Sequence, residues 1–181
     1  TTYGPKIGAL RQVAWEFGWI DRIRKGKPIL VAGDGRAMHQ FLHVDDAGVG
    51  FANTVGKEHT VGQVYNLVRR EHVLWADHHR LVMGILGREV ELVGVPVADL
   101  IAMDVPRVDI CRDIFGHNTY YSGEKMSRDV PEFQPRVSLE EGMRHVIGVM
   151  DAEGRVPNSD ELTWEDDVIA AQRAVRETRV S

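Results

Sequence analysis

The sequence predicts an α/β fold, because short apolar runs alternate along the chain with stretches of helical spacing. Pro28 to Ala32 and Val64 to Val68 are apolar runs edged by glycine or charge, and Glu89 to Val95 alternates apolar with polar residues as a strand does. Around them, apolar residues recur at three- and four-residue steps in Ile7–Arg24, in Trp75–Leu86 and behind Ser138.

Tyr3-Gly4-Pro5 opens the chain as a turn, since glycine permits unusual φ and proline fixes its own. Leu10, Val13, Ala14, Phe17 and Ile20 then predict a helix over Ile7–Arg24, stopped by Gly26 and Pro28. Trp15, Phe17 and Trp19 read as helix packing and subunit contact. After the Pro28–Ala32 strand comes a tight Gly33-Asp34-Gly35 turn, and Gln40 to Asp45 alternates as a second strand. Asp45 and Asp46 mark a helix N-terminus, where carboxylates cap free N–H groups and complement the dipole; the helix runs through Val49, Phe51 and Ala52. Val64–Val68 is a buried-strand candidate whose Asn66 needs a partner. Trp75 to Leu86 is a helix ended by Gly87; His72, His78 and His79 flank its start and read as exposed polarity. Glu89–Val95 is a strand and Pro96–Met103 a helix. Asp109 to Arg128 is the least periodic stretch. Ser138 with Glu141 forms a capping box for a helix presenting Met143, Val146, Ile147 and Met150. Residues 151–158 read as a linker, and Thr163–Asp166 starts a last helix through Val168, Ala171 and Val175, before a ragged basic end.

Composition narrows the function classes. The 181 residues are 43% hydrophobic and 27% charged, ordinary for a soluble globular protein. No apolar run approaches the ~20 residues of a membrane span. The net charge of −5 argues against nonspecific binding of polyphosphates. The lone cysteine, Cys111, cannot form an intramolecular disulfide, so no oxidising compartment is required and a cytoplasmic setting is expected. The chain opens on Thr1 without a charged-then-apolar leader, which reads as a cut into a longer polypeptide, with a processed terminus as the alternative. His39, His43 and Asp45 fall on one face of the expected strand. Their separations are wide and no cysteine or second motif supports them, so no metal is expected.

Several motifs stand in a telling order: Tyr3-Gly4-Pro5; Gly26-Lys27-Pro28, then Gly33-Asp34-Gly35, then Phe41, Val44 and Asp46; Val64-Tyr65-Asn66-Leu67; and Gln134-Pro135 followed by Ser138-Leu139-Glu140-Glu141-Gly142. Over residues 1–150 this set resembles the second half of extended short-chain dehydrogenases/reductases, the NAD-dependent epimerase/dehydratase family. The resemblance implies the C-terminal portion of a Rossmann-type parallel sheet plus a smaller α/β substrate lobe. Residues 1–70 would end the dinucleotide-binding domain, interleaved with a lobe hairpin at 26–44. Residues 71–150 would form the substrate lobe, and 151–181 a linker and helix. NAD or NADP would be bound mainly by a preceding half carrying the glycine fingerprint, with Tyr3, Gly4 and Pro5 bordering it. The catalytic tyrosine and lysine would also lie upstream, so no catalytic residue is expected in this chain. Tyr121 and Lys125 match Y-x-x-x-K literally, but they follow the Val44–Asp46 segment, and Gly123 inside the spacing weakens a helix. They are read as a decoy.

In sugar-nucleotide members an arginine of R-x-F reaches the substrate phosphates; His39 stands there. An asparagine of the family would fall on Thr1. Thr1, His39, Phe41 and His43 are therefore substrate-side candidates, together with Arg112, His117 and Tyr120 from the Asp109–Tyr121 stretch, which also holds Asn118. The implied activity is that of an NAD(P)-dependent epimerase, dehydratase or reductase on a sugar-like or other hydroxylated small molecule, in a full-length homodimer. The alternative is a non-catalytic RNA- or nucleotide-binding protein on the same scaffold, because the helix from Trp15 to Ile23 and Ser122–Pro131 also resemble the atypical branch of chloroplast stem-loop RNA-binding proteins.

Overall fold

The computed structural model describes residues 1–180. Its strands form three two-stranded sheets. β1 (Thr2–Tyr3) runs parallel to β4 (Leu42–His43), with Tyr3 opposite His43. β2 (Ile29–Ala32) runs parallel to β6 (Leu92–Val95), in register from Ile29–Leu92 to Ala32–Val95. β3 (Met38–His39) is antiparallel to β5 (Val73–Leu74). The expected hairpin at 26–44 is therefore absent: Gly33 and Gly35, at φ 60° and 72°, turn the chain, but the strands on either side find partners elsewhere. The single strand expected at Gln40–Asp45 is likewise cut short, because helix begins at Val44.

The helix expected over Ile7–Arg24 shrinks to α1 (Gly18–Lys25). Gly8 at φ 99° and Ala14 at φ 65° leave the helical region, and side chains pin the irregular segment between them. The Trp19 indole N–H donates to Ala9 O (3.0 Å), and Gln12 donates to Phe115 O and accepts from Ala32 N (both 3.0 Å). Leu10, Val13, Ala14 and Ile20 are buried as their spacing predicts and Phe17 is half-buried, but before Gly18 the backbone is not helical.

α2 (Val44–Thr54) is capped by His43, whose Nδ1 accepts from Asp45 N (3.3 Å). Asp46 reaches instead across the fold, accepting from Arg136 N (2.9 Å) and Val137 N (3.0 Å), and so fixes the approach to the next long helix on the chain's C-terminal side. α3 (Trp75–Leu86) ends on left-handed Gly87. α4 (Val97–Ala102) and a short α5 (Val108–Ile110) lead into a π-helical turn, Cys111–Phe115. After α6 (Glu124–Asp129), α7 (Leu139–Ala152) starts on the capping box of Ser138 and Glu141. The stretch read as a linker is thus helical to Ala152, and Ser159 is tied down by the Asp21 carboxylate (2.8 and 2.7 Å).

α8 (Trp164–Val180) packs Val168 and Ile169 beside Leu30, Ala32, Val93 and Val95. It also closes the outer edge of β2. Leu30 N, which points away from β6, donates to the Glu165 carboxylate (2.7 Å), and Ala32 N is taken by Gln12. Side chains thus stand where a further strand would be, which blunts an exposed edge.

α7 crosses Tyr3 so closely that a Cβ on Gly142 would lie 2.1 Å from the Tyr3 oxygen. Gly142→Val is expected to cost about 1–3 kcal/mol through overpacking. On the same helix Gly148 faces open space, and Gly148→Ala is expected to stabilise by up to about 1 kcal/mol. Urea denaturation of the pair checks the contrast; equal effects would remove the close approach.

The α2 flank stands apart. Leu42, Ala47, Met126, Val130 and Phe133 form a small core there, but Phe51 is 68% exposed and Val64 83% exposed. No strand forms at Val64–Val68. Asn66, expected within a buried strand, is on the surface and donates to Ser122 O (3.1 Å). Together α2 and residues 55–67 wall an open apolar groove of about 730 Å³.

Candidate substrate cleft

In α/β folds ligands gather beyond the carboxyl ends of parallel strands, where the connections part. β2 and β6 end at Ala32 and Val95, and a hollow of about 390 Å³ opens beside that end. The Gly33 turn brings Asp34, Arg36 and Ala37 to one wall; Val97 and the segment Gly116-His117-Asn118 form the other. The walls are stitched together. Asn118 Oδ1 accepts from Met38 N (2.9 Å), and Thr119 N donates to Met38 O (2.8 Å).

An aromatic interior adjoins this hollow through Phe115. His39 stacks on Trp75 (centroids 5.3 Å, 25°), meets Phe41 and Phe115 edge-on, and pairs through Nε2 with Thr1 Oγ1 (2.5 Å). Thr1, His39 and Phe41, all substrate-side candidates, are thus brought together, with the His39 and Phe41 rings buried. Burial holds His39 down to about 3. It is a neutral ring in the core and supplies no cation to a ligand. His43 is also buried, with its ring against Tyr3.

His78 and His79 correct the sequence reading. Both are fully buried rather than exposed, with Nε2 of His78 on Leu10 O (2.8 Å) and Nδ1 of His79 on Trp75 O (2.6 Å). Burial pushes His78 down to about 4 and His79 well below its usual value. One signal for them lay in the spacing: Trp75, His78, His79, Val82 and Met83 are the inward stripe of α3.

The remaining candidates separate. His117 reaches the hollow, whereas Arg112 is exposed and forks onto Asp113 (2.6 and 2.7 Å). Tyr120 lies outside the hollow, against the His72 ring. Tyr121 precedes α6 and its backbone N–H donates to Gln40; Lys125 is on α6 and donates to Gln63 Oε1 and Val64 O. The two do not share a helical turn. Tyr3 is buried, and burial raises its phenol to about 12; Gly4 packs under Val44, and Pro5 follows at the carboxyl end of the β1–β4 pair. Sequence reasoning missed Val97 as a wall of the hollow and gave Asp34 only a turn.

No family model matches the chain. A curated relative, 2'-dehydrokanamycin reductase of Streptomyces kanamyceticus, is 26% identical over 125 residues, which is 69% of this chain and 35% of that protein. Among solved structures, the UDP-glucose 4-epimerase of Thermotoga maritima, crystallised with UDP-glucose, superimposes with a TM-score of 0.63 at 20% identity, covering 84% of this chain and 44% of the epimerase. The UDP-glucuronic acid 4-epimerase of Bacillus cereus, in complex with UDP-glucuronic acid and NAD, gives 0.61 at 21% identity, over 84% and 43%. The chain therefore spans less than half the length of these proteins. It has the α/β fold of part of these epimerases.

Proposed function

We propose that this chain is the substrate-binding C-terminal part of an NAD(P)-dependent epimerase, dehydratase or reductase acting on a sugar-like or other hydroxylated small molecule. The observation that carries the reading is the uncovered face of α2 and residues 55–67. Phe51, Val55, Val61 and Val64 turn outward together, a contiguous apolar surface of the kind that marks an interface. In this reading a dinucleotide-binding portion packs there and supplies the glycine-rich phosphate cradle. A nicotinamide, when bound, supplies hydride exchange with a substrate carbinol. This chain's residues fit the border of such a group rather than its cradle: Tyr3 and Gly4 are buried, and Pro5 follows them in a turn at the carboxyl end of parallel strands. Their part is to shape and dry that margin, while the β2–β6 hollow selects what enters.

The relatives' ligands support a hydroxylated substrate. The UDP-sugar complexes and the aminoglycoside-named reductase share polyhydroxylated rings and differ in phosphate. The reading is tested on the 181-residue chain with an environment-sensitive apolar dye. Strong dye fluorescence is expected, falling severalfold in a Phe51→Ser/Val61→Ser/Val64→Ser variant. A chain that stays dark and monodisperse would count against a missing partner on that face.

A further inference from the structure

We propose that the hollow between the end of α4 and the start of α8 binds a small organic cation, a protonated amine carried on a compact hydrocarbon body. The hollow measures about 270 Å³; Asp104 and Val105 stand on one side of it, and Trp164, Asp167, Val168 and Ala171 on the other. It shares no residue with the hollow beyond β2 and β6 or with the α2 groove, so it stands apart from the function proposed above.

Asp104 is placed where the fold alone would not want it. α4 ends in a Schellman motif, in which Asp104 N donates to Ile101 O (3.1 Å) and Val105 N to Leu100 O (3.3 Å). That motif needs a left-handed residue, and Asp104 supplies it at φ 49°. Glycine is the usual occupant, because any Cβ is crowded there. A carboxylate at this point also faces the negative end of the peptide dipoles of α4. No partner among the described residues meets the Asp104 carboxylate and offsets either cost. A local rule broken without a gain inside the chain marks a position kept for something outside it.

The facing wall supplies a second carboxylate. α8 opens on three consecutive acidic residues, of which Glu165 pairs with Arg11 (2.6 Å) and Asp166 with Arg22 (2.7 Å). Asp167 borders the hollow instead, and its carboxylate has no partner among the described residues. Between the two acids the surface is apolar: Val105 and Val168 are buried, and Trp164 is half-buried. The Arg11 guanidinium already lies over the Trp164 ring, 5.6 Å from its centroid, so the indole is a poor seat for a second cation. An ammonium group therefore goes to the rim carboxylates and its hydrocarbon to the indole and the valines. An alcohol or an acid of the same shape forfeits the ionic contact, and a bare amine forfeits the apolar one.

The test is an NMR titration of the chain with phenethylamine, followed at the Trp164 indole and at the Asp167 and Ala171 amides. Saturable shifts are expected there. Phenethyl alcohol, phenylacetate and ethylamine should each bind at least about threefold more weakly. Asp104→Gly separates the ligand from the fold. Relieved of its Cβ, the variant should melt about 2 °C higher and yet bind phenethylamine about threefold more weakly. Ala171→Leu, which fills the hollow and keeps helix and charge, should abolish the shifts. The absence of saturable shifts in the parent, equal binding of the alcohol, or shifts that persist in Ala171→Leu overturns the proposal. So does an Asp104→Gly variant that melts lower than the parent or binds the amine as tightly.

Discussion

Glu165→Ala is expected to lower folding stability by about 3–5 kcal/mol, the usual cost of removing one partner from a buried ionic network. Glu165 is 1% exposed, accepts from two groups and pairs electrostatically with a third. Arg11 forks onto it (2.7 and 2.6 Å), Arg22 Nε lies 3.6 Å away, and Leu30 N closes the edge of β2 upon it (2.7 Å). Arg11 and Glu16 are also paired (2.7 Å), but one carboxylate cannot replace the geometry of two. Without Glu165 the buried guanidinium groups keep one carboxylate each, Glu16 for Arg11 and Asp166 for Arg22 (2.7 Å), and lose the one they share, and Leu30 N faces the interior unpaired. By contrast, Asp160 is a surface carboxylate shared by Lys25 and Lys27 (2.7 and 2.6 Å), and Asp160→Ala should cost far less than Glu165→Ala. Urea denaturation of the two variants decides the matter. A Glu165 effect as small as the Asp160 effect would mean that α8 does not hold the strand edge.

Helix ends were legible in the sequence where they depend on local chemistry. Ser138 with Glu141, and Gly87 after Leu86, read directly because capping involves residues three or four apart. β2 was legible as an apolar run and β6 by its alternation, though not their pairing with each other across some sixty residues. The Ile7–Phe17 segment misleads because its apolar residues are buried by neighbours distant in sequence, and burial imitates helical periodicity. There the backbone is held by Trp19, Gln12 and His78. Val64–Val68 fails for a different reason. A strand exists only with a neighbour, and among the described residues none pairs with it.

The hollow beyond β2 and β6 was legible in part as a loop but not as a shape. His117 and Asn118 stand in the one aperiodic polar stretch, which marked it as substrate-facing. That Asp34 and Arg36 oppose them depends on the Asn118–Met38 bond, eighty residues apart, which leaves no trace in either segment. Asp46 shows the same limit. Its position beside Asp45 says helix cap, whereas its carboxylate spans ninety residues to Arg136 and Val137, and the cap falls to His43.

The buried histidines predict steep acid unfolding. His39, His78 and His79 are held below their ordinary value by burial, His39 to about 3 and His78 to about 4. Below the unfolded value of about 6.5, the unfolded chain binds protons at these rings that the folded chain refuses. Their stabilising contribution is thus complete above about pH 6.5 and is lost as pH falls toward the folded values. Each ring contributes a slope of about 1.4 kcal/mol per pH unit, so the three together give about 4. Against a typical stability of about 5–15 kcal/mol, about one to four units of acidification below pH 6.5 exhaust the reserve. Stability from urea denaturation at several pH values between 7.5 and 5 should be nearly flat above about pH 7 and then fall, with a slope approaching three protons below about pH 5.5. His79→Gln, which removes one ring from the count, should reduce that slope by about one proton even where it lowers stability overall. A parent slope below one proton would show that these imidazoles titrate alike in the folded and unfolded chains, and the aromatic interior around His39 would then have to be open to water.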